Sequence, residues 1–184
     1  KFKDLNGDRV IDDNDKCWNG NPTVPEIIYG FGFSLKYKGF DCSAFFQGQG
    51  KVSIIMYDAH PFSTKAKPGF GLMQWIADEH WSESSPDPDA KYPRLYIGTN
   101  NNNNQTSTFW MANGRYMRLK NLEIGYTLPK RISQKMAMQN MRVYLSGVNL
   151  FTFSPFKLWD PDLQTGATNY PNNRIINIGL TIGF

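Results

Sequence analysis

Residues 174–184, Arg174-Ile175-Ile176-Asn177-Ile178-Gly179-Leu180-Thr181-Ile182-Gly183-Phe184, alternate strictly and constrain the fold more than any other stretch. Ile176, Ile178, Leu180, Ile182 and Phe184 share one face. Asn177, Gly179, Thr181 and Gly183 share the other, with Ile175 the one apolar intruder. A period of two is the signature of a strand with unlike faces. Two settings accept such a strand: a soluble sheet over a core, or a membrane barrel that turns its apolar face to lipid.

The pattern recurs upstream. In "IIYGFGFSLKYK", Ile27, Tyr29, Phe31, Phe33, Leu35 and Tyr37 oppose Gly30, Gly32, Ser34, Lys36 and Lys38, joined by Ile28. Lys38-Gly39 predicts a tight turn, after which Phe40, Cys42, Ala44 and Phe46 continue against Asp41, Ser43, Phe45, Gln47 and Gln49. A third strand follows in "YMRLKNLEIGYTL", where Leu122, Ile124, Tyr126 and Leu128 alternate with Asn121, Glu123, Gly125 and Thr127 until Pro129. "RVYLSGVNLFTF" predicts a fourth, with a bulge near residues 148–150 where the alternation fails. Short helices are expected around residues 72–80 and 132–138. The Pro-rich excursion at 56–112 and the segment 154–173 are read as long loops.

The links run short, long (about 57 residues), medium (about 12) and long (about 20), which matches the short turns and long extracellular loops of outer-membrane barrels. With Lys38-Gly39 on the periplasmic side, Tyr37, Phe40, Tyr126 and Phe184 fall near one boundary, as an aromatic girdle requires. A soluble sandwich gives no reason for that coincidence. Composition agrees. A mean hydropathy of −0.49 and the lack of any run near the roughly 20 apolar residues of a spanning helix exclude a helical membrane protein, but not a barrel. The formal charge of +4 comes from scattered Lys and Arg with no basic stripe, so no nucleic-acid partner is expected. Cys17 and Cys42 support neither a disulfide nor a metal site. Five strands would leave two open edges, which lipid does not permit. The expected fold is therefore all-β, an antiparallel segment of a transmembrane barrel, in a chain that is a C-terminal piece of something larger. Residues 1–26 form an extracellular loop and 27–184 the strands and loops.

Five ordered blocks carry a resemblance: "DLNGDRVIDDNDK", "YGFGFSLKYKGFDCSAFFQGQG", "YMRLKNLEIGYTLPK", "RVYLSGVNLFTFS", and "WDPD" followed by "YP". Together they resemble the C-terminal part of SusC-like TonB-dependent outer-membrane transporters. The resemblance implies a barrel of about 22 strands, with a plug and TonB box outside this chain. It implies outer-membrane lipid around the wall and TonB-powered import of glycans or peptides. A SusD-like surface lipoprotein would be the partner at the extracellular face. The terminal aromatic Phe184 resembles the signal by which barrel-assembly machinery recognises its clients.

The acidic stretch from Asp4 to Asp15 has the oxygen spacing of a calcium loop. Asp4, Asn6, Asp8, Asp12 and Asp15 supply side chains at loop positions 1, 3, 5, 9 and 12, and Val10 supplies a carbonyl at position 7. Arg9 stands at position 6, where glycine normally turns the chain, and Asp15 replaces the usual glutamate. The alternative is an acidic surface turn without an ion. Trp75, Trp81, Trp110 and Trp159 fall in or beside the long loops, where they stack on sugar rings, pack loop against loop or contact the SusD-like lid protein. Asp78, Glu79 and Glu83, with His60 and His80, lack the spacing of a catalytic triad or nucleophile elbow, and no enzyme is expected. The alternative to a transporter is a secreted, soluble β-rich module that binds calcium or glycans.

Overall fold

The computed structural model describes residues 2–56, 72–95, 102–103, 105–164 and 169–184. Five long strands make one antiparallel sheet: β1 (Ile27–Tyr37), β2 (Phe40–Gly50), β5 (Tyr116–Thr127), β6 (Asn140–Phe153) and β7 (Ile175–Gly183), paired in that order. Between β2 and β5, β3 (Ser53–Ile55) pairs with β4 (Met111–Asn113) in a separate two-stranded sheet. Two six-residue helices complete the elements, α1 (Gln74–Glu79) and α2 (Lys130–Lys135). No described helix is long and apolar enough to cross a membrane.

The β1–β2 hairpin turns on two residues with positive φ, Lys38 (+46°) and Gly39 (+90°). This twist matches that of the flanking strands. Gly39 is also required by space, since a Cβ there would lie 2.8 Å from the Thr127 carbonyl oxygen. The register then fixes the faces. Tyr37, Phe40, Tyr126, Val143 and Leu180 line up across the strands, and Leu35, Cys42, Ile124, Leu145 and Ile178 form the next row. On the opposite side, Ser34, Ser43, Glu123, Ser146 and Asn177 form a polar row.

Two irregularities explain where simple alternation fails. On β2, Phe45 pairs with Asn121 but Phe46 pairs with Leu119, so Lys120 is an extra residue. It returns Met117 and Leu119 to the apolar face although they are out of phase with Leu122. On β6 the register shifts between Val148 and Phe151, at the expected bulge, where Asn149 has φ +54°. Sequence periodicity marks the second and misses the first. It also misses β3 and β4, which are too short to show a period. The tract Asn100–Asn104 lies partly, and His60 wholly, outside the described residues.

Burial is inverted relative to a soluble sheet. On the apolar face Phe31 is 53% exposed, Phe151 56% and Ile178 82%. On the polar face, at the end of the sheet away from the Lys38-Gly39 turn, Gln49, Tyr116 and Arg118 are buried. The loops gather over the polar side of the wall and leave the apolar side bare.

Candidate functional site: the loop block and the polar face

The loop block has its own small core. Ile54 in β3, Met56, Trp110 and Phe156 pack together, with Tyr92, Leu95, Ala112 and Trp159 around them. Trp110 is 2% exposed, donates its indole N–H to the Asn103 carbonyl at 3.2 Å, and lies stacked on Tyr92 with ring centroids 6.1 Å apart. Of the roles open to Trp110, this burial among Tyr92, Phe109 and the aliphatic core favours loop packing. Trp75 lies 5.3 Å from Tyr92, and Trp159 meets Phe156 edge to face at 4.6 Å. Both pack loop against loop. Trp81 differs. It is half-buried and lines a cleft of about 870 Å³ between the loop block and the acidic loop, together with Tyr92, Phe109, Asp12, Asp15 and Lys16.

The loop carboxylates are engaged individually. Glu79 bonds Lys91 at 2.8 Å, Glu83 bonds Arg94 at 2.5 Å, and Asp78 accepts from Gln74 at 2.7 Å. His80 Nδ1 meets the Ala77 carbonyl at 2.7 Å.

The acidic loop is folded by its own side chains. Asp4 accepts from the amides of Gly7 (2.6 Å) and Arg9 (2.8 Å), Asp8 from Val10 (2.7 Å), and Asp12 from Asn14 (2.8 Å). Asp15 closes the loop by accepting from Leu5 at 2.7 Å and Asp12 at 2.9 Å. Those two bonds hold the Asp15 carboxyl below the usual carboxylate range. A depressed value means that the closure is complete at neutral pH and is lost as pH falls through it. Arg9 takes φ +67°, the left-handed conformation that glycine would supply at this position. Among the described residues no three His, Cys, Asp or Glu side chains gather tightly enough to share a metal ion.

Two arginine centres on the polar face escape a sequence reading based on periodicity. Arg142 on β6 donates Nε to Asp41 at 3.0 Å and Nη2 to both Asp41 and Glu123, the latter at 2.7 Å. Glu123, one of the polar residues of the β5 alternation, is thus ion-paired across the sheet. Gly125 makes the space, since a Cβ there would lie 2.4 Å from Arg142 Nη2. Arg118 on β5 donates Nε to Thr152 at 2.9 Å, Nη1 to Asp162 at 3.4 Å and Nη2 to Asp160. The only sequence hint was "WDPD", whose aspartates lie more than 40 residues from Arg118.

No family model matches the chain. Individual proteins do. TonB-dependent receptor P3 of Formosa agariphila is 32% identical over the whole chain, and TonB-dependent receptor P26 of the same organism is 31% identical. TonB-dependent receptor SusC of Bacteroides thetaiotaomicron is 25% identical, again over the whole chain. The chain spans 19%, 19% and 17% of their respective lengths. Among solved structures, the RagAB peptide importer in its open-open state matches 89% of this chain at 27% identity and a TM-score of 0.64. A second structure, of the RagAB peptide transporter, matches 95% at 25% identity and a TM-score of 0.67. In each case the match covers 18–19% of the solved chain. These relatives are receptors and transporters rather than enzymes. An antiparallel wall, a loop block on its polar side and whole-chain similarity point the same way: over these 184 residues the chain belongs to the SusC-like TonB-dependent receptors.

Proposed function

We propose that β1, β2, β5, β6 and β7 are wall strands of an outer-membrane importer whose apolar face meets lipid. The inversion of burial carries this reading. A water-soluble sheet covers its apolar face and wets its polar one, whereas a lumen-enclosing wall does the reverse. The free edges of β1 and β7 would be paired by the remainder of the same barrel, because lipid leaves no partner for open backbone groups. TonB coupling would act through residues outside this chain. The cargo would be a glycan or a peptide, received at the loop end under a SusD-like lipoprotein. The similarity to SusC and to the RagAB peptide importer supports that class of cargo and partner.

Cysteine labelling in the full-length protein tests the orientation. Ile178→Cys should react only with a lipid-soluble maleimide, and Asn177→Cys only with a water-soluble one. Equal reaction of both with the water-soluble reagent would favour a soluble module. Co-purification of a surface lipoprotein, and loss of glycan or peptide uptake on deletion of the gene, test the partner and cargo.

Two residue-level roles belong to the same proposal. Phe184, 83% exposed beyond the last pairing of β7, would serve the assembly machinery rather than the folded wall. Its deletion should reduce heat-modifiable barrel in outer-membrane fractions far more than it destabilises barrel already inserted. Normal levels of folded barrel would leave Phe184 as one more rim aromatic. Calcium, if bound at the acidic loop, would draw on Asp4, Asn6, Asp8, Asp12, Asp15 and the Val10 carbonyl. The left-handed backbone kept at Arg9 supports this. Trypsin should then cleave after Arg9 more slowly in millimolar calcium than in chelator. Equal rates would show that hydrogen bonds alone shape the loop.

A further inference from the structure

Arg118 and Thr152 are cross-strand partners in the polar row that also holds Gln47. Met117, Leu119, Phe151 and Phe153 on the same strands point the other way. Whatever Arg118 grips therefore lies on the inner side of the wall. It grips Asp160 and Asp162, which belong to the segment 154–164. Asp162 accepts further bonds from the Tyr116 hydroxyl at 2.7 Å and from Asn172 Nδ2 at 2.9 Å. Asp160 caps the turn Pro161–Leu163 by accepting from the Asp162 amide at 3.0 Å. The segment has a second anchor in Phe156 and Trp159, which join the core of the loop block.

The Arg118 side chain is 2% exposed. A cation so buried is tolerated only with its charge matched and its N–H groups occupied. Thr152 and the two aspartates do both, and the aspartates can do so only if the segment folds inward. Two independent anchors, one ionic and one apolar, thus hold it over the polar face just beyond the strand ends. Taking the chain as a barrel wall, as proposed above, we infer that segment 154–164 is a fixed inner rim at the mouth of the lumen. Arg118 is its positioning residue, and the rim limits the size of solute that reaches the polar face beneath it.

The test uses the full-length receptor in outer membranes, with Arg118→Gln and Arg118→Lys. Glutamine leaves Asp160 and Asp162 unmatched, while lysine keeps the charge but loses the planar fork. Hydrogen exchange in 154–164 should rise about tenfold or more in Arg118→Gln and less in Arg118→Lys, with 140–153 unchanged. For the rim, Gln47→Cys is placed in a Cys17→Ser, Cys42→Ser background and treated with small and bulky water-soluble maleimides. The bulky reagent should be excluded while Arg118 is intact, and should react about tenfold faster in Arg118→Gln as the segment opens. Unchanged exchange would overturn the pin. A bulky reagent that already enters with Arg118 intact, or that gains nothing in Arg118→Gln, would overturn the rim. Failure of the barrel reading would show separately, as loss of heat-modifiability and reaction of Ile178→Cys with the water-soluble reagent.

Discussion

Replacing Trp110 with alanine is expected to destabilise the loop block by about 3–5 kcal/mol while leaving the wall folded. The residue is 2% exposed and belongs to both the aromatic and the aliphatic halves of the block. Its ring meets Phe109 edge to face at 4.8 Å and stacks on Tyr92. Its backbone carbonyl accepts the Met56 amide at 2.9 Å, which ties the ends of the long excursion together next to the β3–β4 pair. Alanine would remove the whole ring from a core with few other members, and so large a cavity is not closed by relaxation. Trp110→Phe separates the contributions. It keeps most of the burial and loses the indole bond to the Asn103 carbonyl, for an expected cost of about 0.5–1.5 kcal/mol plus that of a smaller void. Limited proteolysis of the full-length receptor should show faster cleavage in 72–95 and 105–113 for alanine, with the heat-modifiable barrel retained. If cleavage is no faster, the block is held by its backbone ladder and not by its aromatic core.

The wall was legible because its signal is repetitive. A period of two leaves only two phases per strand, so the two faces of each strand follow from alternation; the rows do not, and the row of Tyr37, Phe40 and Tyr126 runs on through Val143 to Leu180, four residues short of the Phe184 expected beside them. Lys120 shows the limit of that argument. A single inserted residue flips the phase of everything before it, and nothing about a lysine announces a bulge. The loop block was not legible, because its contacts are set by closure of long segments rather than by period. Trp110 and Trp81 look alike in sequence and border the same cleft, yet Trp110 is 2% exposed and belongs to the core of the loop block while Trp81 is only half-buried. Arg118 and Arg142 both stand in strand patterns that read as ordinary lumen-side polarity. Their partners, Asp160 with Asp162 and Asp41 with Glu123, lie 19 to 101 residues away. Pairing at that distance follows from sheet order, which periodicity does not specify.

Leu180→Lys is expected to cost the inserted barrel about 1 kcal/mol more than Thr181→Lys, below the midplane cost of about 2–4 kcal/mol because Leu180 shares its row with the rim aromatics Tyr37, Phe40 and Tyr126. The two positions are adjacent in β7 and differ only in the side of the wall they face. Leu180 pairs with Val143, in the row that runs through Tyr126 and Phe40 to Tyr37, so a lysine there must desolvate or reach along the wall for water. Thr181 pairs with Arg142 on the polar side. There the guanidinium already faces two carboxylates, Asp41 and Glu123, so an added ammonium meets a local excess of negative charge. Helical or strand propensity cannot produce the difference, because the same residue is introduced into the same strand one position apart. Urea unfolding of the full-length protein from lipid vesicles, followed by tryptophan emission, measures both costs. Detergent supplies the control. A micelle admits water more readily near a lysine than a bilayer does, so the gap between the two variants should narrow in detergent if lipid contact causes it. Equal costs in vesicles would mean that the Leu180 face is not the lipid face, and the bare apolar rows would then require a protein partner.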